Sequence, residues 1–429
     1  MRVLAIAAFL CASLPAVTVL GQHTLDIIEN NGLSENRIDL VIMGDGYTSG
    51  EQQDFASDAQ NAIDHLFLKW PSNQYREFFN IVTISTVSNE SGADHPSMSE
   101  FADTFYDCAY DCAGLEHLIC CDYSTILSVA GAQYPAHDVV VLLVNDQQYG
   151  GSGGTVAIAS ISPVANDIPF HEFGHTFAGL ADEYDSPYPG FVCEDVYPNI
   201  SFTANRDDLK WNYWVNEDTP LPTPESAAVN NLEPVGAYEG ACYQTVGLFR
   251  PVDECVMRSL NNDFCAVCTE QMVLSYYGFV EPVDTYSPAQ NSHDGVFGDS
   301  IEFVVEAVEP EPNTLTYTWD LDGELLSWSD SADLEFLFKC VDQGEHQLTV
   351  TVSDLTNMVM VDTENLMTTS VSWTITRTDD GPVEDCDDLN AGVDACPDGG
   401  GNPEKSGCGC HTIPAHRTLI SSLLALLFL

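Results

Sequence analysis

Residues 169–184 read PFHEFGHTFAGLADEY, and they limit the fold around them more than any other stretch. Helical spacing puts His171 and His175 one turn apart on one face, close enough to hold a single metal ion. Asp167 is placed to cap the start of that helix. Pro169 falls in the first turn, where a missing N–H costs nothing. A helix continuing past Gly179 would carry Asp182 about 10 Å further along the axis than His175, at 1.5 Å per residue. That is beyond shared coordination. Gly179 removes the obstacle, because a left-handed glycine can end the helix and turn the chain back. Two imidazoles make half of a tetrahedral zinc shell. Asp182 is then the expected third ligand, Glu183 the alternative, and Tyr184 a neighbour able to touch the ligands or the reacting group. Glu172 stands beside the first ligand, where a carboxylate can take a proton from water that zinc has acidified to a pKa of about 7. The same spacing also occurs in ordinary helices with two buried structural histidines, but an ionisable Glu172 between them makes an awkward core.

Charge excludes one class of partner. The chain has 66 Asp and Glu against 12 Lys and Arg, a formal net charge of −54, and nucleic-acid binding needs a basic face. An acidic surface suits an exported protein that meets salt or calcium. The N-terminal MRVLAIAAFLCASLPAVTVLGQ reads as a secretory signal peptide over residues 1–21, its apolar run being too short and too early for a membrane span. Its removal takes Cys11 and leaves 14 of the 15 cysteines, an even number that reads as disulfides in a secreted or cell-surface chain. Asn89 and Asn199 begin glycosylation sequons. At the other end, the hydrophobic tail over 413–429 is shorter than the roughly 20 residues a spanning helix needs. It reads either as an anchoring or sorting signal or as a buried terminal helix.

The order of elements points to two folded regions. RIDLVIMGDGYT (37–48), FFNIVTISTV (78–87) and DVVVLLVN (138–145) are apolar strands, and residues 49–70 between the first two have helical spacing with Ser49 as cap. Strand–helix–strand order predicts an α/β (α+β) sheet with parallel members. CAYDCAGLEHLICC (108–121) reads as a helical hairpin tied by disulfides rather than a metal site, since it lacks a Cys-x-x-Cys pair. From about Pro288 the pattern becomes short strands separated by turns, which predicts an all-β sandwich over 285–378. Residues 379–412 form an acidic, cysteine-rich linker, with calcium binding as the competing reading.

HEFGHTFAGLADEY is similar to the signature of the IgA-peptidase-like family of secreted zinc metallopeptidases, related to the metzincins. VIMGDGYTSGEQ (41–52), VSNESGADHP (87–96), VVLLVNDQQYGGSGG (140–154), GAYEGACYQTVGLFRPVDECVMRS (236–259) and FCAVC (264–268) also fit that family. The resemblance covers roughly residues 24–280. It implies a metzincin-like zinc peptidase domain over 22–284, with an N-terminal part (22–165) and a part holding the zinc helix (166–284). His171, His175 and an acidic residue would hold zinc, and Glu172 would act as general base. Met257 in CVMRS would be the Met-turn residue, an apolar floor under the ligands. Metzincins proper place glycine three residues after the second histidine and the third ligand three later, whereas here Gly179 follows by four and Asp182 by seven. TWDLDG (318–323) and GEHQLTVTVSD (344–354) resemble the polycystic-kidney-disease-type immunoglobulin-like module.

Cys265 and Cys268 form a Cys-x-x-Cys pair open to zinc or redox chemistry. The exported setting favours disulfides, with Cys242 or Cys255 as partners. His95 reads as a solvated loop histidine. YGGSGG (149–154) reads as backbone near a cleft, with an edge able to pair with a peptide. The expected function is zinc-dependent endopeptidase action on extracellular protein, with Arg258 or Tyr184 facing the oxyanion. Two alternatives are a cell-surface adhesion protein with a relic peptidase domain and a zinc amidase acting on a non-protein amide. Substrate specificity, disulfide pairing and oligomeric state are not legible in the sequence.

Overall fold

A computed structural model of the chain describes residues 22–163, 167–188, 190–326, 331–384 and 386. The expected signal peptide, the hydrophobic tail and most of the acidic linker lie outside the described residues. Strands β1 (His23–Glu29), β2 (Ile38–Asp45), β3 (Phe79–Thr86), β4 (Val139–Val144), β5 (Gly151–Ser152) and β6 (Ala157–Ser160) form one sheet in the order β1-β3-β2-β4-β6-β5. The four inner strands run parallel, and β1 and β5 are antiparallel at the two edges. All eight residues of β2 are buried, as expected of a parallel strand covered on both faces.

Helices α1 (Gln52–Leu66), α2 (Tyr123–Gln133) and α3 (Ile168–Ala178) supply that cover. Alternation along β2 sorts its side chains into two cores. Leu40 and Ile42 pack with Phe55 and Ile63 of α1 and with Phe170 and Phe173 of α3. Val41 and Met43 pack with Ile126 and Ala130 of α2 on the opposite side. Ser49 does not cap α1. The helix starts after Glu51, whose carboxylate accepts from the Thr48 backbone N–H at 2.9 Å and hydroxyl at 2.6 Å.

Residues 108–121 are no helical hairpin. Disulfides Cys108–Cys121 and Cys112–Cys120 tie them into a loop, with Asp111 and Ala113 in left-handed backbone that interrupts any helix. That loop lies along β5. Gly151 donates to His117 O at 3.1 Å, and Ile119 donates to Gly151 O at 3.3 Å. The sheet edge expected to receive a peptide at Gly151 is therefore already paired.

A hairpin, β7 (Tyr238–Ala241) and β8 (Gln244–Arg250), and helix α4 (Ala266–Tyr277) follow. Beyond α4 the described chain is built of strands, with one short 3-10 turn at Phe338–Cys340. Strands β9 (Val283–Ser287), β10 (Ser292–Gly295), β11 (Ser300–Ala307), β12 (Leu315–Leu321), β13 (Glu324–Leu325), β14 (Asp333–Leu337), β15 (Gly344–Asp354) and β16 (Thr368–Arg377) make two sheets, ordered β10-β16-β15-β12-β13 and β14-β11-β9. Both contribute to one core, with Phe303 and Phe336 from one sheet against Trp319, Val350 and Trp373 from the other. A disulfide, Cys340–Cys386, ties the start of the acidic segment to this region.

The β region is docked on the rest rather than tethered to it. Asp354, 5% exposed, accepts from Tyr75 Oη at 3.1 Å, Tyr277 Oη at 2.7 Å and Thr314 Oγ1 at 2.5 Å. Val308, Met358 and Met367 join the core of the first region. Removing the Asp354 carboxylate strands two buried tyrosine hydroxyls. Asp354→Ala is thus expected to cost about 3 kcal/mol, since each hydrogen bond to a charged group is worth about 1.5–3 kcal/mol. A urea titration reads this directly, and an unchanged midpoint would show that the carboxylate does not join the two regions.

Candidate metal centre

Helix α3 turns Phe170 and Phe173 into the core, which leaves His171 and His175 on its other side. Asp167 occupies the N-cap position without capping. Its carboxylate instead accepts from His65, from Lys69 Nζ at 2.9 Å and from the Asn261 N–H at 2.6 Å. Burial alone would raise its pKa, but the His65 and Lys69 contacts reverse this and hold it at about 2. A depressed carboxylate stabilises the fold above its unfolded pKa of about 4. Asp167→Asn is therefore expected to lower stability at pH 7 by about 2 kcal/mol. The two proteins should converge as the pH falls from about 4 to about 2, as read by thermal melts across that range. A gap at pH 2 as large as the gap at pH 7 would contradict the linkage.

Gly179 ends α3 at φ 63°, its N–H bonded to His175 O at 3.1 Å, and Leu180 N–H reaches Gly174 O at 3.2 Å. This left-handed closure satisfies two end-of-helix carbonyls and reverses the chain. Asp182 comes back so that Oδ1 lies 3.1 Å from His171 Nε2 and 3.3 Å from His175 Nε2, and the two Nε2 atoms are 3.1 Å apart. Tetrahedral bonds of about 2.0–2.1 Å require ligand separations of about 3.3–3.4 Å. The three donors match that size.

The protonation pattern follows from the far side of each ring. His171 Nδ1 lies 2.9 Å from Val256 O, and His175 Nδ1 lies 2.7 Å from Leu180 O. Each Nδ1 must donate, so each neutral ring turns a lone pair at Nε2 toward the other and toward Asp182. Three electron-pair donors aimed at one point repel unless a cation sits among them. Protons can substitute. Burial lowers the His175 pKa, but the Asp182 charge and hydrogen bond overcome this and raise it to about 9.

Glu172 brings a carboxylate oxygen within 4.8 Å of both histidine ligand atoms. It is 8% exposed, and its Oε2 has no hydrogen-bond partner. Burial raises its pKa, the neighbouring imidazoles only partly offsetting this. A carboxyl group poised to exchange a proton with something in the cleft has these properties. The glycines of YGGSGG explain the close approach of β5. A Cβ at Gly151 would lie 2.7 Å from Glu172 Oε1, and one at Gly153 would lie 2.4 Å from His175 Cβ. Met257, fully buried, lies under α3, its Sδ 3.0 Å from where a Cβ at Gly174 would stand. The preceding carbonyl, Val256 O, is the one that orients His171.

These groups open into a cleft of about 300 Å³ walled by Tyr149, Tyr184, Phe191, Tyr197 and Tyr243. A larger cavity of about 580 Å³ opens beside His65 and Pro169, without any of the three donors. The sequence matches the IgA peptidase M64 family over residues 27–232 and 226–275. The chain belongs to that family.

Each of these donors falls within the M64 match. No curated protein matches the sequence. Among solved structures, the chain is similar to Clostridium thermocellum CbhA fibronectin(III)-like modules, with 12% identity, 22% of this chain and 45% of that chain covered, and a TM-score of 0.16. It is also similar to the endo-beta-1,4-mannanase from Thermotoga petrophila, with 9% identity, 80% and 65% covered, and a TM-score of 0.17. The chain thus spans less than two thirds of either length, and at those scores neither likeness bears on fold or function.

Several sequence expectations of this M64 chain are revised by geometry. Glu183 is not beside the histidines. It is fully buried on another side of the turn, next to Cys255, Cys265 and Cys268. Those cysteines are free thiols, because Cys242 pairs with Cys193 instead. Arg258 does not face the cleft. It is engaged by Glu254 at 3.2 Å and Asp185 at 3.4 Å. His95 is not solvated: it stacks on Tyr110 and bonds Asp146 at 2.8 Å. The Asn199 sequon is buried, its Nδ2 donating to Ala181 O and Glu183 Oε1, whereas Asn89 is exposed.

One group was missed by sequence reasoning. Tyr243 Oη donates to Asp182 Oδ2 at 2.5 Å, and its N–H bonds Tyr184 O at 2.7 Å. Only its place inside a family-like segment, GAYEGACYQTVG, hinted at it. Because Tyr243 fixes the second carboxylate oxygen, Tyr243→Phe is expected to weaken metal affinity or activity by about 10–100-fold. A metal-competition titration beside a casein assay checks both, and wild-type values in both would leave Tyr243 a wall residue.

Proposed function

We propose that this M64-family peptidase is an extracellular zinc endopeptidase, with a peptidase part over 22–284 and an immunoglobulin-like sandwich over 285–378. The observation that carries the metal reading is the convergence of two Nε2 lone pairs and Asp182 Oδ1 at tetrahedral spacing. The four disulfides among the described residues are consistent with an extracellular setting.

His171, His175 and Asp182 would hold the ion. When bound, zinc supplies a Lewis acid for the scissile carbonyl and acidifies water. Glu172 takes the proton of the attacking water and returns it to the leaving amine. Tyr243 holds Asp182 in place, and the Val256 and Leu180 carbonyls keep both imidazoles oriented. Tyr184 lines the cleft beside His171, with ring centroids 6.1 Å apart, and its hydroxyl is the group we assign to a developing oxyanion. A relic domain has no use for a buried, unpaired Glu172 within a complete donor set, which disfavours the adhesion reading.

The test uses the purified full-length chain on casein. Cleavage is expected to stop on chelation and to return with zinc. Cleavage that survives complete metal removal would overturn the reading, as would a metal-loaded chain that cleaves no protein.

A further inference from the structure

The three thiols behind the histidines do not behave as a disulfide site. Cys255 Sγ lies 3.8 Å from Cys268 Sγ, and Cys268 Sγ lies 3.6 Å from Glu183 Oε1. The ligand atoms of Glu183, Cys255, Cys265 and Cys268 all lie within 4.8 Å of one another. A disulfide would need about 2.05 Å. Tetrahedral zinc, with bonds of about 2.3 Å to sulfur and about 2.0 Å to oxygen, needs about 3.8 Å between sulfurs and about 3.5 Å from sulfur to oxygen. These two separations match such edges.

Burial makes the same point from energetics. Glu183, Cys255 and Cys268 are 0% exposed and Cys265 is 1% exposed. Glu183 Oε2 has no hydrogen-bond partner, and Asn199 Nδ2 donates to Oε1 at 3.0 Å. A carboxyl group sealed among sulfurs is costly unless a cation joins it. Asn199 would then orient the carboxylate ligand, as hydrogen-bond partners of metal ligands commonly do.

We propose that Cys255, Cys265, Cys268 and Glu183 hold a second zinc ion, structural and separate from the one at His171 and His175. With three thiolates and a carboxylate, the site carries the same formal charge as the four-cysteine sites that structural zinc takes. No position is left for water or substrate, so the ion is closed rather than catalytic.

Its place in the chain gives it a task. Glu183 follows Asp182 directly, and its N–H bonds Met257 O at 2.8 Å. Cys255 precedes Val256, whose carbonyl orients His171. Cys265 and Cys268 stand at the start of α4. One ion would therefore fasten the third-ligand segment, the turn under the zinc helix and α4 to each other. It would also keep three buried thiols from oxidising in a compartment that favours disulfides.

The test separates this ion from the one proposed at His171 and His175. Wild-type full-length chain, purified without added reductant, is expected to contain two zinc ions by elemental mass spectrometry. The His171→Ala/His175→Ala double variant should retain one. Cobalt exchanged into either protein should give a cobalt–thiolate charge-transfer band, and the band needs no cysteine variant to be seen. Cys265→Ser/Cys268→Ser should lower the wild-type content from two ions to one. If that variant fails to fold, the cobalt spectrum of wild type decides. Cobalt-loaded protein without a thiolate band would overturn the proposal. So would a disulfide among Cys255, Cys265 and Cys268 in unreduced peptide maps.

Discussion

Glu172→Gln is expected to lower kcat for casein cleavage by about 100- to 10,000-fold, the range in which a positioned acid–base group contributes. The substitution keeps the size of the side chain and its buried place on α3, facing β5. It removes the charge and the capacity to accept a proton, putting an NH2 donor in place of one oxygen. Because Glu172 is not among the three converging donors, the zinc content should match wild type. The discriminating measurement is kcat beside metal stoichiometry on the same sample. Casein cleavage within tenfold of wild type, with metal bound, would remove Glu172 from the mechanism. Loss of both metal and activity would move it into the ligand set instead.

Asp182→Ala has the second largest expected effect. It deletes one of three donors, and it leaves the Tyr243 hydroxyl without its acceptor. Losing a mere hydrogen-bond partner of a ligand costs about 10–100-fold in affinity, so losing the ligand itself should exceed about 100-fold. The ion affected is the one that His171→Ala also displaces. Competition against a chromogenic chelator measures it, and casein cleavage should fall in parallel. Unchanged affinity would show that the two histidines hold their ion with some other partner. In that case the 3.1 Å and 3.3 Å approaches of Asp182 would be ion pairs with protonated imidazoles.

Local rules made the centre of the molecule legible. The helical period placed His171 and His175 on one side of α3, and the special freedom of glycine gave a reason for the chain to reverse at Gly179. Apolar runs marked β2, β3 and β4 because parallel strands are buried on both faces. What stayed hidden depends on groups distant in sequence. Nothing in residues 182–184 says that Asp182 and Glu183 point to different sides of the turn, since that is decided by pairing with residues 242–243 and 257. Tyr243 joins the site from 61 residues away. The thiol cluster was obscured by a sound generalisation about exported cysteines, one that holds for four pairs here and fails for Cys255, Cys265 and Cys268. The occupied edge at Gly151 was equally out of reach, because a disulfide-tied loop from residues 108–121 had to be placed first.

The hub at Asp354 bears on where this chain can be cut. Tyr75, Phe78 and Tyr277 pack edge to face within 5.0–6.0 Å, and the two tyrosines reach the carboxylate of a strand more than seventy residues beyond the end of α4. A fragment stopping near residue 284 would keep every donor of the metal centre. It would also wet that aromatic floor and leave its hydroxyls searching for acceptors. The boundary visible in the sequence separates two patterns of secondary structure, while the packed unit extends across it.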